Sequence, residues 1–131
     1  MIDIQRLHKT FSAGNANAVV ALHDVSLHIP RGEFVVLLGA NGSGKSTLLN
    51  CIAGTVTADS GNILLDEQDV TRLPEFKRSR WVSRIFQNPS SGTSPDLTLL
   101  ENYRLAALRT RHFGLRIGTT AEFRRTVQEH V

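Results

Sequence analysis

The residues Gly39-Ala40-Asn41-Gly42-Ser43-Gly44-Lys45-Ser46-Thr47 fit the pattern G-x-x-x-x-G-K-[ST], and no other stretch constrains the fold as strongly. The pattern carries meaning only between a strand and a helix, and both flanks comply. Phe34-Val35-Val36-Leu37-Leu38 is a short apolar run, rich in β-branched residues, that stops at Gly39. It predicts a strand buried on both faces of a parallel sheet. After the glycines, Ser46-Thr47-Leu48-Leu49-Asn50-Cys51-Ile52-Ala53 predicts a helix, with Gly54 placed where a C′ glycine would end it. Gly39, Gly42 and Gly44 allow positive φ angles that curl backbone N–H groups inward, a nest for phosphate oxygens. The helix start adds its partial positive charge. Lys45 is then placed to reach the β- and γ-phosphates, and the Ser46 hydroxyl is a natural Mg²⁺ ligand. The bland alternative, a Gly-rich turn with an incidental Lys-Ser, does not explain why strand, spacing and helix agree.

At 131 residues the chain has the length of one domain. Its hydrophobic content of 40% is well above a disordered composition, and no apolar run approaches the ~20 residues of a membrane span. Met1-Ile2-Asp3-Ile4 lacks a basic n-region and an apolar h-region, so no secretory signal is expected. The single cysteine, Cys51, cannot form an internal disulfide, which favours a reducing, cytosolic compartment. It reads as a small packed residue on the helix after the loop rather than a catalytic thiol. The net charge of +3 hides an asymmetry. Residues 1–71 hold four Lys/Arg and seven Asp/Glu, whereas residues 72–131 hold eleven and five. A basic half suits nucleic acid, an anionic membrane surface or an acidic partner, although on short helices it is more often a solvated face.

Ile2-Asp3-Ile4 and Val25-Ser26-Leu27-His28-Ile29 alternate on either side of the polar stretch 12–17, which predicts an antiparallel pair. Pro30-Arg31-Gly32 turns the chain into the 34–38 strand. Asp59-Ser60-Gly61 signals a turn before a short strand over 62–65; Asp66, Glu67 and Asp69 after it read as a solvated turn, not a ligand set. A short basic helix is expected over roughly 74–81, then a strand over 82–86 and a polar, turn-rich loop over 88–96. Thr98-Leu99-Leu100-Glu101 and Thr119-Thr120-Ala121-Glu122 are capping boxes that predict two helices. The second carries Phe123, Val127 and Val131 at i, i+4, i+8, and the sequence stops on that stripe without a capping Gly or Pro. The five histidines are scattered and suggest no zinc site.

Beyond the glycine loop, residues 22–65 resemble the nucleotide-binding domain of the ATP-binding cassette (ABC) transporter family. The resemblance rests on Leu22-His23-Asp24-Val25-Ser26-Leu27, Gly32-Glu33, Leu38 through Leu49, Ile52-Ala53-Gly54 and Ser60-Gly61-Asn62-Ile63. Ile85-Phe86-Gln87-Asn88-Pro89 is similar to the family's Q-loop, and Leu97-Thr98-Leu99-Leu100-Glu101-Asn102 to the segment after it. The resemblance implies an α/β P-loop NTPase of ABC type, with an N-terminal antiparallel β subdomain, a partial parallel core sheet and the start of the helical subdomain. It implies ATP and Mg²⁺ as cofactors. Gly39, Asn41, Gly42, Ser43, Gly44, Lys45, Ser46 and Thr47 would bind the nucleotide, Thr47 through the α-phosphate. Phe11 matches the aromatic residue that stacks on adenine, a role that suits a flat, polarizable base; a packed strand-end residue is the plainer reading. Lys45 and Gln87 match catalytic positions, and Ser46 and Gln87 match metal contacts, since an amide accepts toward the metal and donates toward oxygen without adding charge.

The family's second half carries an apolar strand ending in Asp-Glu, a Ser-Gly-Gly-Gln-type signature and a later histidine, and no counterpart is read in residues 1–131. Leu64-Leu65-Asp66-Glu67 comes nearest, but it stands before Gln87, the wrong place in the order. Phosphoryl transfer needs a carboxylate for the metal and a group positioning the water besides the cradle. The chain is therefore expected to be an incomplete, N-terminal portion of an ABC-type ATP-binding domain. It should bind Mg·ATP weakly or not at all alone, without turnover. The parent protein is expected to be a transporter's ATP-binding subunit that couples hydrolysis to transport, leaning toward import. It would act as a head-to-tail dimer with a second ATP-binding subunit, docked through transmembrane permease subunits on the cytoplasmic face of the membrane. Nucleic acid is not the expected partner, yet two alternatives stay open: a soluble ABC-type ATPase acting on nucleic acid or ribosomes, and a non-catalytic truncated nucleotide-binding module. The cargo is not readable.

Overall fold

Alternating apolar residues at the start of the chain build the first hairpin, β1 (Ile2–Phe11) against β2 (Val19–Ile29), in register from Ile2 opposite Ile29 to Phe11 opposite Val19. Both strands run longer than their alternation suggests. In β1 the register shifts after Ile4, and Arg6 takes a left-handed φ of 46° while its N–H donates to Ser26 Oγ at 3.0 Å. This bulge changes which face the chain presents, so Ile4 and Leu7, three apart rather than two, are both buried. The other edge of β1 pairs with β3 (Ser60–Leu65), and β3 with the two-residue β4 (Gln68–Asp69) across an Asp66-Glu67 turn in which both residues have positive φ. The sheet order is β2-β1-β3-β4, antiparallel throughout.

The computed structural model describes residues 1–86, 88–108 and 120–129. The chain divides into two compact units, Met1–Val82 and Ser83–Val131. In the first, α1 (Lys45–Ala53) buries Leu48, Cys51 and Ile52, an i, i+3, i+4 stripe, in one cluster with Ile4, Leu7, Leu22, Ala58, Ile63, Leu65 and Val70. Cys51 is fully buried and desolvation pushes its thiol up, in keeping with a packing role. Gly54 ends the helix in a left-handed conformation, φ 88°, its N–H donating to the Asn50 carbonyl.

Two predicted strands, 34–38 and 82–86, join no ladder, and no parallel ladder is present among the described residues. Phe34 is 92% exposed, Leu38 88% and Ile85 fully exposed. A parallel strand lives by hydrogen bonds to neighbours on its edges and by cover on both faces. The described residues supply no such ladder, so apolar composition alone leaves both segments outside the sheet.

The basic helix is shorter than predicted, α2 (Glu75–Arg78) behind Pro74. Its solvated face does not include Arg78, which is 2% exposed. The Arg78 guanidinium donates from Nη1 to the carbonyls of Cys51 (2.6 Å) and Ile52 (3.0 Å), from Nη2 to Thr71 (3.0 Å) and from Nε to Leu73 (2.8 Å). It satisfies acceptors left over at the C-terminal end of α1 and complements that end of the helix dipole.

In the second unit a 3₁₀ turn over Pro89–Gly92 is capped by Asn88, whose Oδ1 accepts from the Ser90 N–H. The capping box forms as predicted at the start of α3 (Leu99–Leu108): Thr98 N–H and Oγ1 both donate to Glu101 Oε2 (2.8 and 2.6 Å), and Glu101 N–H returns to Thr98 Oγ1. Asn102 holds the loop before it, Oδ1 accepting from Ser94 N–H while Nδ2 donates to the carbonyls of Ser94, Leu97 and Thr98. In α4 (Ala121–Gln128) the cap is Thr120 rather than the first threonine of the predicted box, accepting from Phe123 N–H. Val127 is buried on it; Thr119 and Val131 lie outside the described residues.

Candidate functional site

The glycine loop sits where the first unit's helix begins. Gly42 and Gly44 adopt left-handed φ angles of 82° and 86°. A Cβ on Gly42 would meet open space, but one on Gly44 would come within 2.4 Å of the Ala21 carbonyl oxygen of β2. Gly44 is thus required twice over, by its φ and by the strand it touches. It is also the residue at which α1 starts, and neither a capping side chain nor an acidic residue occupies the first turn. The positive end of the helix is left open to an anion. The first intrahelical bond runs from Leu48 N–H to the Gly44 carbonyl at 2.8 Å, so the N–H groups ahead of it face the loop.

Lys45 lies across this loop. Its Nζ donates to the carbonyls of Gly39 (2.7 Å) and Ala40 (2.6 Å) and, more weakly, to Ser43 Oγ (3.2 Å). The ammonium therefore ties the loop's entry to the helix start. Ser43 N–H closes the turn onto the Ala40 carbonyl at 3.3 Å. Asn41, Gly42, Ser43 and Ser46 are exposed and Thr47 half-buried, so the predicted residues from Gly39 to Thr47 form one contiguous, accessible surface. The residues fit a phosphate chain: three donors on one ammonium, an open helix end, and glycines where side chains would obstruct. Ser46, exposed in the first helical turn, is a residue that could hold Mg²⁺.

Phe11 closes β1 and is 40% exposed. Its partner Val19 stands two residues along β2 from the Ala21 carbonyl that Gly44 touches, about 7 Å at the rise of a strand. Phe11 and the loop thus share one end of the first unit. Gln87 lies outside the described residues. Asp66 and Glu67 are the hairpin turn, Asp66 accepting from the Met1 ammonium and from Arg31. No group of three His, Cys, Asp or Glu among the described residues could hold a metal ion.

Sequence reasoning missed the surroundings of Phe11. Lys9 Nζ stands 5.5 Å from the Phe11 ring centroid and pairs at 2.8 Å with Asp59 Oδ1, while Asp59 Oδ2 accepts from the Thr10 N–H at 2.7 Å. These donors, Lys9 first, hold the Asp59 carboxyl below the usual range. Nothing local to residues 9 and 59 signals a contact across fifty positions.

A glycine loop of this geometry at the start of a helix is the arrangement of the P-loop class of nucleotide-binding proteins, and comparison with known proteins places it further. Residues 22–130 match the family described as ABC transporter, and the chain belongs to that family. It is 45% identical over 106 residues to a tyrosine transport ATP-binding protein of Clostridioides difficile (strain R20291), covering 81% of this chain and 42% of that one. It is 46% identical over 103 residues to the spermidine/putrescine import ATP-binding protein PotA of Protochlamydia amoebophila (strain UWE25), covering 79% and 24%. Among solved structures, it resembles the dimeric post-hydrolysis state of the ATP-binding cassette MJ0796 bound to ADP and Pi. That match has a TM-score of 0.76 at 29% identity and covers 98% of this chain and 55% of the other. The fold is that of an ABC-type ATP-binding cassette, of which this chain spans about half. No helix among the described residues is long and apolar enough to cross a membrane.

Proposed function

We propose that this chain is the N-terminal, nucleotide-holding portion of a transporter's ATP-binding subunit. The observation that carries this reading is the open start of α1 behind Gly42 and Gly44, with the Lys45 ammonium fixed over the loop carbonyls. Phosphate oxygens of ATP would take the N–H groups of the first turn and the Lys45 donor now spent on the long bond to Ser43. Mg²⁺, when bound, neutralises charge on the β- and γ-phosphates. Ser46 and Gln87 are the residues we assign to it. Lys45 would orient and polarise the triphosphate, Gln87 would contact the metal or the attacking water, and Phe11 would stack on the base.

Residues 1–131 hold Mg·ATP weakly and do not turn it over, because the carboxylate that completes such a site is not among the residues we assign. The word import in a relative's name supports an importing system, and the dimeric state of the similar cassette supports a second ATP-binding subunit. We assign membrane permease subunits as the further partners and the cytoplasmic face of the membrane as the place of action. Titration of the purified chain with Mg·ATP, followed by NMR, tests the reading. Saturable shifts are expected at residues 39–47, and Lys45→Ala should weaken binding about 10- to 100-fold, the worth of a charge-assisted hydrogen bond. Equal binding by the variant would refute the assignment. Sustained hydrolysis by the 131-residue chain, lost in Lys45→Ala, would refute the absence of turnover.

A further inference from the structure

We propose that Lys9 and Asp59 are positioning residues for the base of the nucleotide, acting through Phe11. This rests on the reading that Phe11 stacks on adenine and goes beyond it. Phe11 ends a strand that is irregular where it matters: Lys9 pairs with Leu22 but Thr10 with Val20, and Ser12 after Phe11 has a φ of 54°. A strand end of this kind does not hold a ring still by its ladder alone. Residue 59 supplies what the ladder lacks. Its N–H donates to the His8 carbonyl at 2.9 Å, and its carboxylate takes the Lys9 ammonium and the Thr10 N–H. Residues 8, 9 and 10 are each tied to one residue in the connection from α1 to β3.

The ammonium so fixed lies over one face of the Phe11 ring. An aromatic face carries negative charge, and a cation set against it draws that charge toward itself. The opposite face becomes a better platform for an electron-rich purine. Lys9 is largely covered, its side chain 16% exposed, so it does not wander from the ring. The same residue 59 follows α1, which begins at the phosphate loop, so the base platform and the phosphate loop are braced by one stretch of chain. Purine recognition at this site should therefore depend on a lysine and an aspartate that touch no part of the nucleotide.

The discriminating measurement is the ratio of affinities of the chain for ATP and for inorganic tripolyphosphate, which has the charge but no base. NMR titration of the whole chain reads both. Phe11→Leu should lower the ATP affinity at least about 5-fold with tripolyphosphate unchanged, the worth of one base stacked on an aromatic ring. Lys9→Met should lower the ATP to tripolyphosphate ratio about 2- to 5-fold, the lower range of cation–π contacts, and Lys9→Arg should restore it. Asp59→Asn, which keeps the shape but releases the ammonium, should fall between. A general loss of charge or stability would move both ligands together and leave the ratio alone. A ratio unchanged in Lys9→Met while Phe11→Leu lowers it would overturn this proposal and leave the stacking reading standing. A ratio unchanged in Phe11→Leu, or no response of the Phe11 ring to ATP in excess, would overturn both.

Discussion

Arg78 shows how one side chain can matter more than its class suggests. In sequence it is one of eleven cations in a basic half; in the structure it is a buried charge answered by four carbonyls. Burial lowers its pKa from the usual value, the expected direction for a cation taken from water, but an arginine starts high enough to stay charged. Gly54 belongs to the same arrangement, since a Cβ there would come within 2.7 Å of Arg78 Nε. Arg78→Met removes the donors and leaves buried acceptors unpaired. It should cost about 3 kcal/mol in urea denaturation, with Arg78→Lys between the two because an ammonium cannot fork to four oxygens.

At the level of elements, what the sequence discloses and what it conceals divide by range. The capping box at Thr98 and the glycine at the end of α1 are local arrangements, decided within four residues, and both form where their residues predict. Thr98→Ala should weaken the start of α3 by about 1 kcal/mol, read as faster hydrogen exchange at Glu101 and Asn102, while Glu101→Gln, which can still accept, should keep most of the protection. The strand over 34–38 has the right composition but needs partners that its own residues cannot provide. The turn of Gly42 and Gly44 into α1 was legible because glycine spacing is itself the geometry. Lys9 with Asp59, and Arg78 with the end of α1, were not legible, because each depends on which distant backbone the fold brings near.

Across the whole molecule the carboxylates set the acid response. Asp59, held by Lys9 and the Thr10 amide, Asp66, held by the Met1 ammonium, and Glu101, held by the Thr98 hydroxyl and amide, all have pKa values lowered in the folded state. Groups depressed in this way contribute stability that is complete above their unfolded pKa values, about 4, and is lost as pH falls through the lower folded values. Urea midpoints should therefore stay level from neutral pH to about 5 and decline below about 4, and Asp59→Asn should flatten part of that decline. A steady loss beginning above pH 6 would contradict this assignment.

The clamp around Arg78 meets that response at Asp69, whose carboxylate accepts from the Thr71 N–H, has its pKa lowered chiefly by Thr71, and attracts the Arg78 cation. Its acceptors are peptide carbonyls, which do not titrate, and it is buried where dissolved ions screen little. Salt that loosens the ion pairs at the rim therefore finds little purchase on the joint between α1 and the chain after β4, whereas acid reaches it through Asp69. The helix that carries the glycine loop is thus shielded from salt at its far end but keeps a line to pH, from Asp69 through Thr71 to Arg78.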